Sequence, residues 1–383
     1  MPSNVFDVVV VGAGPAGVSA AKAAASTGAR TLLLEKYPTV MANKPCGEAV
    51  SQETLRTAGV EAKPSIVLRR AYALVFAPNM NYVKIDRIGF LINKSLFLQE
   101  IAAQAAEAGA EIHVREEALL VERADTTMKI KTNRGVYEAG VVIGADGYNS
   151  TVARSLGVRE KSEPIPTLQY IMAGCRVEYP DAVRFYLGND IAPKGYAWIF
   201  PRGEKIAEVG IGVRGAVAKE YLDKFVKMFE KEFKGAQIID FRGAPVPIGG
   251  MISEVVFDGA MLIGDAAGTV IPLTGAGIHS SISAGLIAGE VAGKAAQEGD
   301  VSKQRLSEFY QRYKPWIDRI RKSLKVMRTL EKLSDREFNI LAEVLRDQDI
   351  LDLANGLDVI RVARRLLRHP LLAAKLAKPL LQE

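Results

Sequence analysis

The run VFDVVVVGAGPAG, residues 5–17, constrains the fold more than any other stretch of the chain. An unbroken β-branched segment stops at Gly12, Ala16–Ser26 is alanine-rich and helical in character, and RTLLLE at residues 30–35 is a second strand-like run. Strand, glycine turn, helix and strand make the opening of a doubly wound α/β sheet. In that context Gly12, Gly14 and Gly17 fit the dinucleotide fingerprint. The first permits the tight turn, the second lets a pyrophosphate approach the backbone, and the third lets helix and strand pack closely. Pro15 and Ala16 lead into the helix, whose free N–H groups would receive the phosphates. Glu35 ends the second strand at the spacing expected of an acid that binds ribose hydroxyls, with Lys36 beside it.

The remaining segments fall into two kinds. A helix over residues 96–108 leads into EIHV at 111–114, and VVIGAD (141–146) and AMLIGD (260–265) read as buried strands ending in an acid. Residues 67–77, 82–92, 168–177, 183–187, 196–200 and 206–213 favour strands with few helices between them, which predicts a mostly antiparallel second sheet. The expected architecture is therefore α/β. A split doubly wound dinucleotide-binding domain takes residues 1–65, 93–165 and 253–300. An inserted, mostly antiparallel β-sheet substrate domain takes 66–92 and 166–252, and a C-terminal helical region takes 301–383. Pro315 and Pro370 are expected to break helices there. A second GxGxxG, at Gly210, Gly212 and Gly215, lies inside strand-like sequence with no βαβ unit after it, and reads as a structural glycine run.

Composition excludes several classes. With 48% hydrophobic and 25% charged residues this is a soluble globular composition. Two cysteines, Cys46 and Cys175, are too few for a disulfide scaffold and suit a reducing compartment. Two cysteines and three histidines without ligand spacing argue against a metal site. The N-terminus has no signal-peptide pattern. Residues 266–289 are uncharged and long enough to span a bilayer, but Pro272, His279 and several glycines and serines dilute them. The net charge of +6 concentrates near the C-terminus, where residues 301–330 carry nine Lys/Arg against two acids. Leucine-interleaved basic helices suit either solvated faces over a core or an acidic membrane surface. Without a recognition motif, nucleic acid is not expected as a partner.

GADGYNSTVAR (144–154) and LIGDAAGTVIPLTGAGIHSSISAG (262–285), taken with the first fingerprint, resemble the paired motifs of the para-hydroxybenzoate hydroxylase-like FAD superfamily. That resemblance implies FAD as cofactor, with Asp146, Gly264 and Asp265 at the site and Asp265 on the ribitol. Pro272 and the turn through Gly275 and Gly277 would bring a helix N-terminus to the flavin, a placement suited to the negative charge of the reduced ring. KPCG (44–47) and PKGYAWIFP (193–201) resemble signatures of the geranylgeranyl reductase family, and its archaeal branch, which acts on membrane ether lipids, is the most similar. Lys94 stands where many members of that superfamily have an arginine.

This resemblance implies an FAD-dependent oxidoreductase that saturates C=C bonds of geranylgeranyl chains, by hydride from reduced flavin and a proton from elsewhere. Alternatives are a geranylgeranyl reductase of chlorophyll biosynthesis, a flavin monooxygenase and a non-catalytic prenyl binder. Tyr196, Trp198 and Phe200 alternate with Ala197 and Ile199, so on a strand the three rings share one face. They form either a wall for a polyprenyl substrate or an ordinary core face. Cys46, between Pro45 and Gly47, is expected near the flavin as proton donor, packing group or pocket wall, with Tyr196 the other candidate catalytic residue and Cys46 and Gly47 counted among the cofactor contacts. Expected partners are a geranylgeranylated lipid, a membrane surface, and an external electron donor such as NAD(P)H or ferredoxin. The expected location is cytoplasmic, on the inner face of the cell membrane. Cys175, His113 and His279 read as structural.

Overall fold

The computed structural model describes residues 4–40 and 45–381, so Lys44 of the KPCG motif lies outside the described residues. The first elements are β1 (Val5–Val11), α1 (Pro15–Ser26), β2 (Thr31–Glu35), β3 (Ala49–Val50) and α2 (Gln52–Ala58). Next come β4 (Val67–Phe76), β5 (Tyr82–Ile92), α3 (Lys94–Glu107), β6 (Glu111–Val114), β7 (Ala118–Ala124), β8 (Thr127–Thr132), β9 (Val136–Gly144) and α4 (Thr151–Ser155). The inserted region supplies β10 (Pro164–Ala173), β11 (Ala182–Tyr186), β12 (Tyr196–Pro201), β13 (Ile206–Gly212), α5 (Ala218–Met228), α6 (Glu230–Phe233) and β14 (Gln237–Pro247). The chain then returns through β15 (Val256–Phe257), β16 (Ala260–Leu262) and α7 (Ile278–Glu298) to a run of helices. These include α8 (Lys303–Leu306), α9 (Glu308–Leu330), α10 (Asp335–Val344), α11 (Asp347–Asn355) and α12 (Val359–Leu366).

Two sheets result. The first has the order β15-β16-β9-β1-β2-β6, with the β7–β8 hairpin attached to β9. Its centre is parallel, β1 pairing with both β2 and β9. Val8–Val10 and Leu32–Leu34 are buried on both faces, which is why those strands read as unbroken apolar runs. The second sheet has the order β14-β10-β13-β12-β11-β4-β5-β3 and is antiparallel except where β11 runs alongside β4. Ala49–Val50 joins this second sheet through β5, from within the stretch assigned to the first domain by sequence. Gln237–Pro247, an edge strand with mostly exposed or half-exposed residues, had no strand pattern to announce it.

The stretch that resembled a membrane span supplies most of α7. Gly285, Gly289 and Gly293 fall at fourfold spacing, and a side chain on any of them would overlap atoms of α1 or the turn after it. The small residues let two helix backbones meet, which explains the apolar composition without a bilayer. Among the described residues no helix is long and apolar enough to cross a membrane.

Pro315 does not end a helix: it lies inside α9. Phe309, Tyr313, Ile320, Val326 and Met327 are buried on that helix, and their packing outweighs the one hydrogen bond that proline removes. Pro370 begins a short helical turn four residues after α12 ends. The basic charges of α8 and α9 are largely spent inside the molecule. Arg305 pairs with Glu298 and Glu308, Arg312 with Glu290 and Glu308, and Arg328 with Glu163 and Glu331.

Candidate active site

The glycine turn has the backbone geometry that its spacing suggested. Gly12 takes φ +97°, and a Cβ there would lie 2.6 Å from the carbonyl oxygen of Ala145. A Cβ on Gly17 would overlap the Gly12 carbonyl, whereas the space in front of Gly14 is open to 4 Å. Gly14 is the N-cap of α1, Pro15 sits in its first turn, and no side chain caps the helix. Glu35 is buried at the end of β2, and its two carboxylate oxygens accept the N–H groups of Ala13 (2.8 Å) and Tyr37 (2.9 Å). This leaves a cradle open at Gly14, with free N–H groups at the base of a helix and an acid at its side, as a dinucleotide requires. Lys36 is exposed, with Nζ 5.2 Å from the centre of the Tyr37 ring.

Asp146 is placed beside this turn, but its carboxylate is engaged locally. It accepts Ser150 Oγ at 2.6 Å and the N–H groups of Thr151 (2.6 Å) and Val152 (3.2 Å) at the start of α4. Burial raises its pKa against the pull of those donors. Gly264, at φ +65°, precedes Asp265. A Cβ on Gly277 would come within 4.0 Å of Asp265 Oδ1, so that carboxylate stands at the N-terminus of α7. The turn before α7 is closed by Ile271 N–H to the Ala276 carbonyl and Gly275 N–H to the Ile271 carbonyl, both 2.9 Å. Pro272 is buried at its start, and Gly277 is the N-cap with no side-chain cap.

The aromatic wall meets that turn. Tyr196, Trp198 and Phe200 lie on one face of β12, while Ala197 and Ile199 point into the core under α5. The hydroxyl of Tyr196 donates to the carbonyl of Thr274 at 2.5 Å, across 78 residues of sequence. Burial pushes the Tyr196 phenol up, and nearby Cys46 adds to the shift. Phe185, opposite Trp198 on β11, packs edge-on against Tyr196 (5.7 Å) and Phe200 (5.2 Å). It belongs to the wall, and nothing local in FYL marks it.

Pro45–Gly47, the described part of the KPCG motif, packs against the wall. Gly47 lies against the Phe200 ring so closely that any side chain there would overlap it. Cys46 is a half-buried free thiol, and its Sγ accepts the Glu48 N–H at 3.4 Å. Cys46 and Tyr196, which sequence singled out separately, are thus brought together. Cys175 is buried and donates to the Met172 carbonyl at 3.2 Å, a packing role. His113 pairs with Glu116, and His279 contacts Thr57 and the edge of Trp316. No cluster of metal-ligating side chains occurs among the described residues.

Beside the wall, on the same face of the sheet, lies a charged network that sequence reasoning missed, with Glu208 opposite Phe200 on β13. Trp198 Nε1 donates to Glu208 Oε1 at 3.0 Å. Arg202 Nη1 reaches Glu208 Oε2 at 3.1 Å, and its Nη2 reaches Glu48 Oε2 at 2.6 Å. Glu208 is 0% exposed, and burial pushes its carboxyl up to about 7, against the opposing pull of Arg202. The second GxGxxG is accounted for here: a side chain on Gly210 would overlap the Trp198 indole. Two surface grooves, of about 410 Å³ beside Glu290 and Lys294 and about 640 Å³ beside His113 and Tyr137, are lined by none of these residues.

Comparison with known proteins agrees with this geometry. The geranylgeranyl reductase catalytic domain matches residues 164–246, and an FAD binding domain matches residues 5–189. Digeranylgeranylglycerophospholipid reductase 2 of Methanopyrus kandleri is 36% identical over 98% of this chain and 100% of its own length. The chain belongs to the geranylgeranyl reductase family. The digeranylgeranylglycerophospholipid reductase of Methanocaldococcus jannaschii is 35% identical over 95% of both chains. Among solved structures, a geranylgeranyl bacteriochlorophyll reductase-like protein of Thermoplasma acidophilum superposes with TM-score 0.88, at 30% identity over 98% of this chain and 99% of its own. A flavin-dependent brominase, Bmp2, shares the fold at TM-score 0.72 and 18% identity, over 91% of this chain and 94% of its own. Like other members of the reductase family, this chain is an FAD-dependent oxidoreductase, and the open cradle at Gly14 fits that cofactor.

Proposed function

We propose that the chain saturates the C=C bonds of geranylgeranyl chains in archaeal-type membrane ether phospholipids. The observation that carries this reading is the meeting of the aromatic wall with the turn before α7, through Tyr196 and Thr274. The names of the methanogen relatives supply the lipid. FAD held at the Gly14 cradle would supply hydride for one alkene carbon, with an external donor such as NAD(P)H, ferredoxin or another carrier as the source of its electrons. The chain's own residues bind the prenyl chain, exclude water and hold the proton for the other carbon.

Tyr196, Trp198, Phe200 and Phe185 offer an isoprenoid a flat apolar surface, favourable by about 25 cal/mol per Å² buried. Burial keeps the Tyr196 phenol protonated at neutral pH, but its hydrogen is already donated to Thr274. Cys46 Sγ accepts the Glu48 N–H, and among the described residues no acceptor engages its hydrogen. We therefore assign the proton to Cys46 Sγ, and to Tyr196 the task of holding wall and turn together. The Gly210 fingerprint is filled by an indole and offers no nicotinamide site.

The test is anaerobic turnover of chemically reduced, FAD-loaded protein with geranylgeranylated ether phospholipid, read by mass spectrometry of the extracted lipid. Products gaining two hydrogens at a time are expected. Cys46→Ala should lower the single-turnover rate roughly 10²–10⁴-fold at unchanged flavin content, and Tyr196→Phe should lower it less. A Cys46→Ala protein that turns over at the wild-type rate removes the thiol from the mechanism. Unchanged lipid alongside a reduced geranylgeranylated chlorin would favour a pigment substrate, the reading suggested by the name of the Thermoplasma protein.

A lipid embedded in a membrane must be approached at its surface, and we assign that approach to the outer side of α12, on the inner face of the cell membrane. Ile360, Arg364 and Leu367 are exposed at helical spacing, with Leu357, Arg368 and Leu371 exposed beside them. Arg364 and Arg368 have no ion-pair partner among the described residues, so both charges remain for acidic headgroups.

A further inference from the structure

Glu48 is a non-glycine residue in the left-handed region, with φ +53°. Such a conformation is unfavourable and persists only where its surroundings over-determine it. Here it turns the Glu48 N–H toward Cys46 Sγ while the Glu48 carbonyl accepts the Ile92 N–H at 2.9 Å. The side chain is then fixed at its far end by Arg202 at 2.6 Å, with the Lys94 N–H a longer contact at 3.4 Å. The same guanidinium holds Glu208, and Glu208 holds the Trp198 indole in the space that Gly210 leaves. A planar, always-charged fork with donors on both arms suits two carboxylates at once; a lysine would present one point charge.

We propose that Arg202 is a positioning residue that couples the cysteine loop to the aromatic wall: one arm locks Glu48 in the conformation that aims its N–H at Cys46 Sγ, and the other, through Glu208, fixes Trp198. Neither side chain of the coupled pair is free to move alone. The distance between thiol and wall, within which the reacting alkene must fit, is set by this clamp and not by the flexibility of the Pro45–Gly47 loop. The proposal rests on reading the surroundings of Cys46 and the aromatic wall as the reaction site, but its two main readouts require no substrate.

The experiment uses full-length, FAD-loaded protein carrying Trp316→Phe and Cys175→Ala, which leaves Trp198 as the one tryptophan and Cys46 as the one cysteine. Trp198 emission reports one end of the clamp, and the rate of Cys46 alkylation by iodoacetamide reports the other. Arg202→Met should shift the emission and change the alkylation rate several-fold, with Arg202→Lys intermediate in both. Glu48→Gln and Glu208→Gln act at opposite ends, so each should move both probes, and the double variant should show less than the product of the two single effects. Turnover of the single variants should fall mainly in kcat. Should Arg202→Met not fold, the glutamine cycle decides alone. Strictly multiplicative effects, or a Glu48→Gln protein whose alkylation changes while Trp198 emission stays at the parent value, would overturn the coupling. Failure to reduce any prenyl lipid, with both probes coupled, would instead count against the substrate reading and leave the clamp standing.

Discussion

Glu208 sits wholly out of water between an indole and a guanidinium, with Glu48 and Lys94 the other charged groups that bear on it. Its carboxyl, ordinarily near 4.5, is pushed up to about 7. Between those values the folded protein holds a proton that the unfolded chain has lost, so stability falls as pH rises through the window and is level above it. At 1.36 kcal/mol per pH unit the loss is on the order of 3 kcal/mol. Glu208→Gln keeps an acceptor for Trp198 and cannot ionise. Urea unfolding from pH 4.5 to 8 should show the variant gaining on the wild type by roughly that amount up to pH 7, then running parallel. Curves that are parallel throughout would mean that Glu208 ionises at no cost. This residue also marks the limit of what sequence can reveal. Cys46 was conspicuous because KPCG is contiguous, and Tyr196, Trp198 and Phe200 because they alternate. Glu48 and Arg202 are 154 residues apart, and only the placement of the motif loop against the far end of β12 makes them neighbours.

The helices α1 and α7 both begin at the cofactor cradle, so their pairing sets its shape. Their backbones touch along Gly285, Gly289 and Gly293, where side chains would overlap Ala16, Ala20 and Thr27. Overpacking of a well-filled core costs about 1–3 kcal/mol, and an obstruction made of backbone cannot turn aside as a side chain would. Gly289→Val should therefore push α7 off α1 and separate Gly277 from Gly14. The expected outcome is flavin lost on gel filtration at wild-type temperature, with the melting temperature lowered as well. A variant that retains stoichiometric FAD would show that the helices can separate without disturbing the cradle. The sequence signalled both helices but not their contact; Pro272, His279 and the polar residues already spoke against a bilayer, and only the fold shows what the small residues pack against. It also misjudged Pro315, because local propensity speaks for an isolated helix, whereas α9 is held by buried rings along its length. The edge strand Gln237–Pro247 went unseen for the complementary reason: few of its side chains are buried, so alternation is weak.

For the molecule as a whole, the C-terminal helices are part of the body and not an appendage to it. Val359, Val362, Ala363, Leu366, Leu372, Leu376 and Leu380 are buried in a cluster with Val326 of α9, Leu341 of α10 and Leu353 of α11, and Leu273 of the turn before α7 packs against it. Arg361 is tied to Asp349 and Asp352, Arg365 to Asp349 and Lys375 to Glu337, so three of the six Lys/Arg in residues 351–383 are paired within the molecule. At about 1.5–3 kcal/mol per buried aliphatic side chain, removing residues 361–383 would forfeit as much as a typical domain's whole net stability of roughly 5–15 kcal/mol. Such a truncation should aggregate or lose its flavin, and vesicle binding by it would say nothing about a membrane face. The informative variants are Ile360→Ser with Leu367→Ser, and Arg364→Gln with Arg368→Gln, which change exposed groups alone. Both should keep the wild-type melting temperature and flavin content. In co-sedimentation with vesicles of anionic ether lipid at low salt, the apolar pair should bind more weakly at every ionic strength. The arginine pair should lose the salt-sensitive part of binding and resemble the wild type in high salt. Undiminished sedimentation of both would move the lipid entrance away from α12 and leave its exposed leucines as ordinary surface.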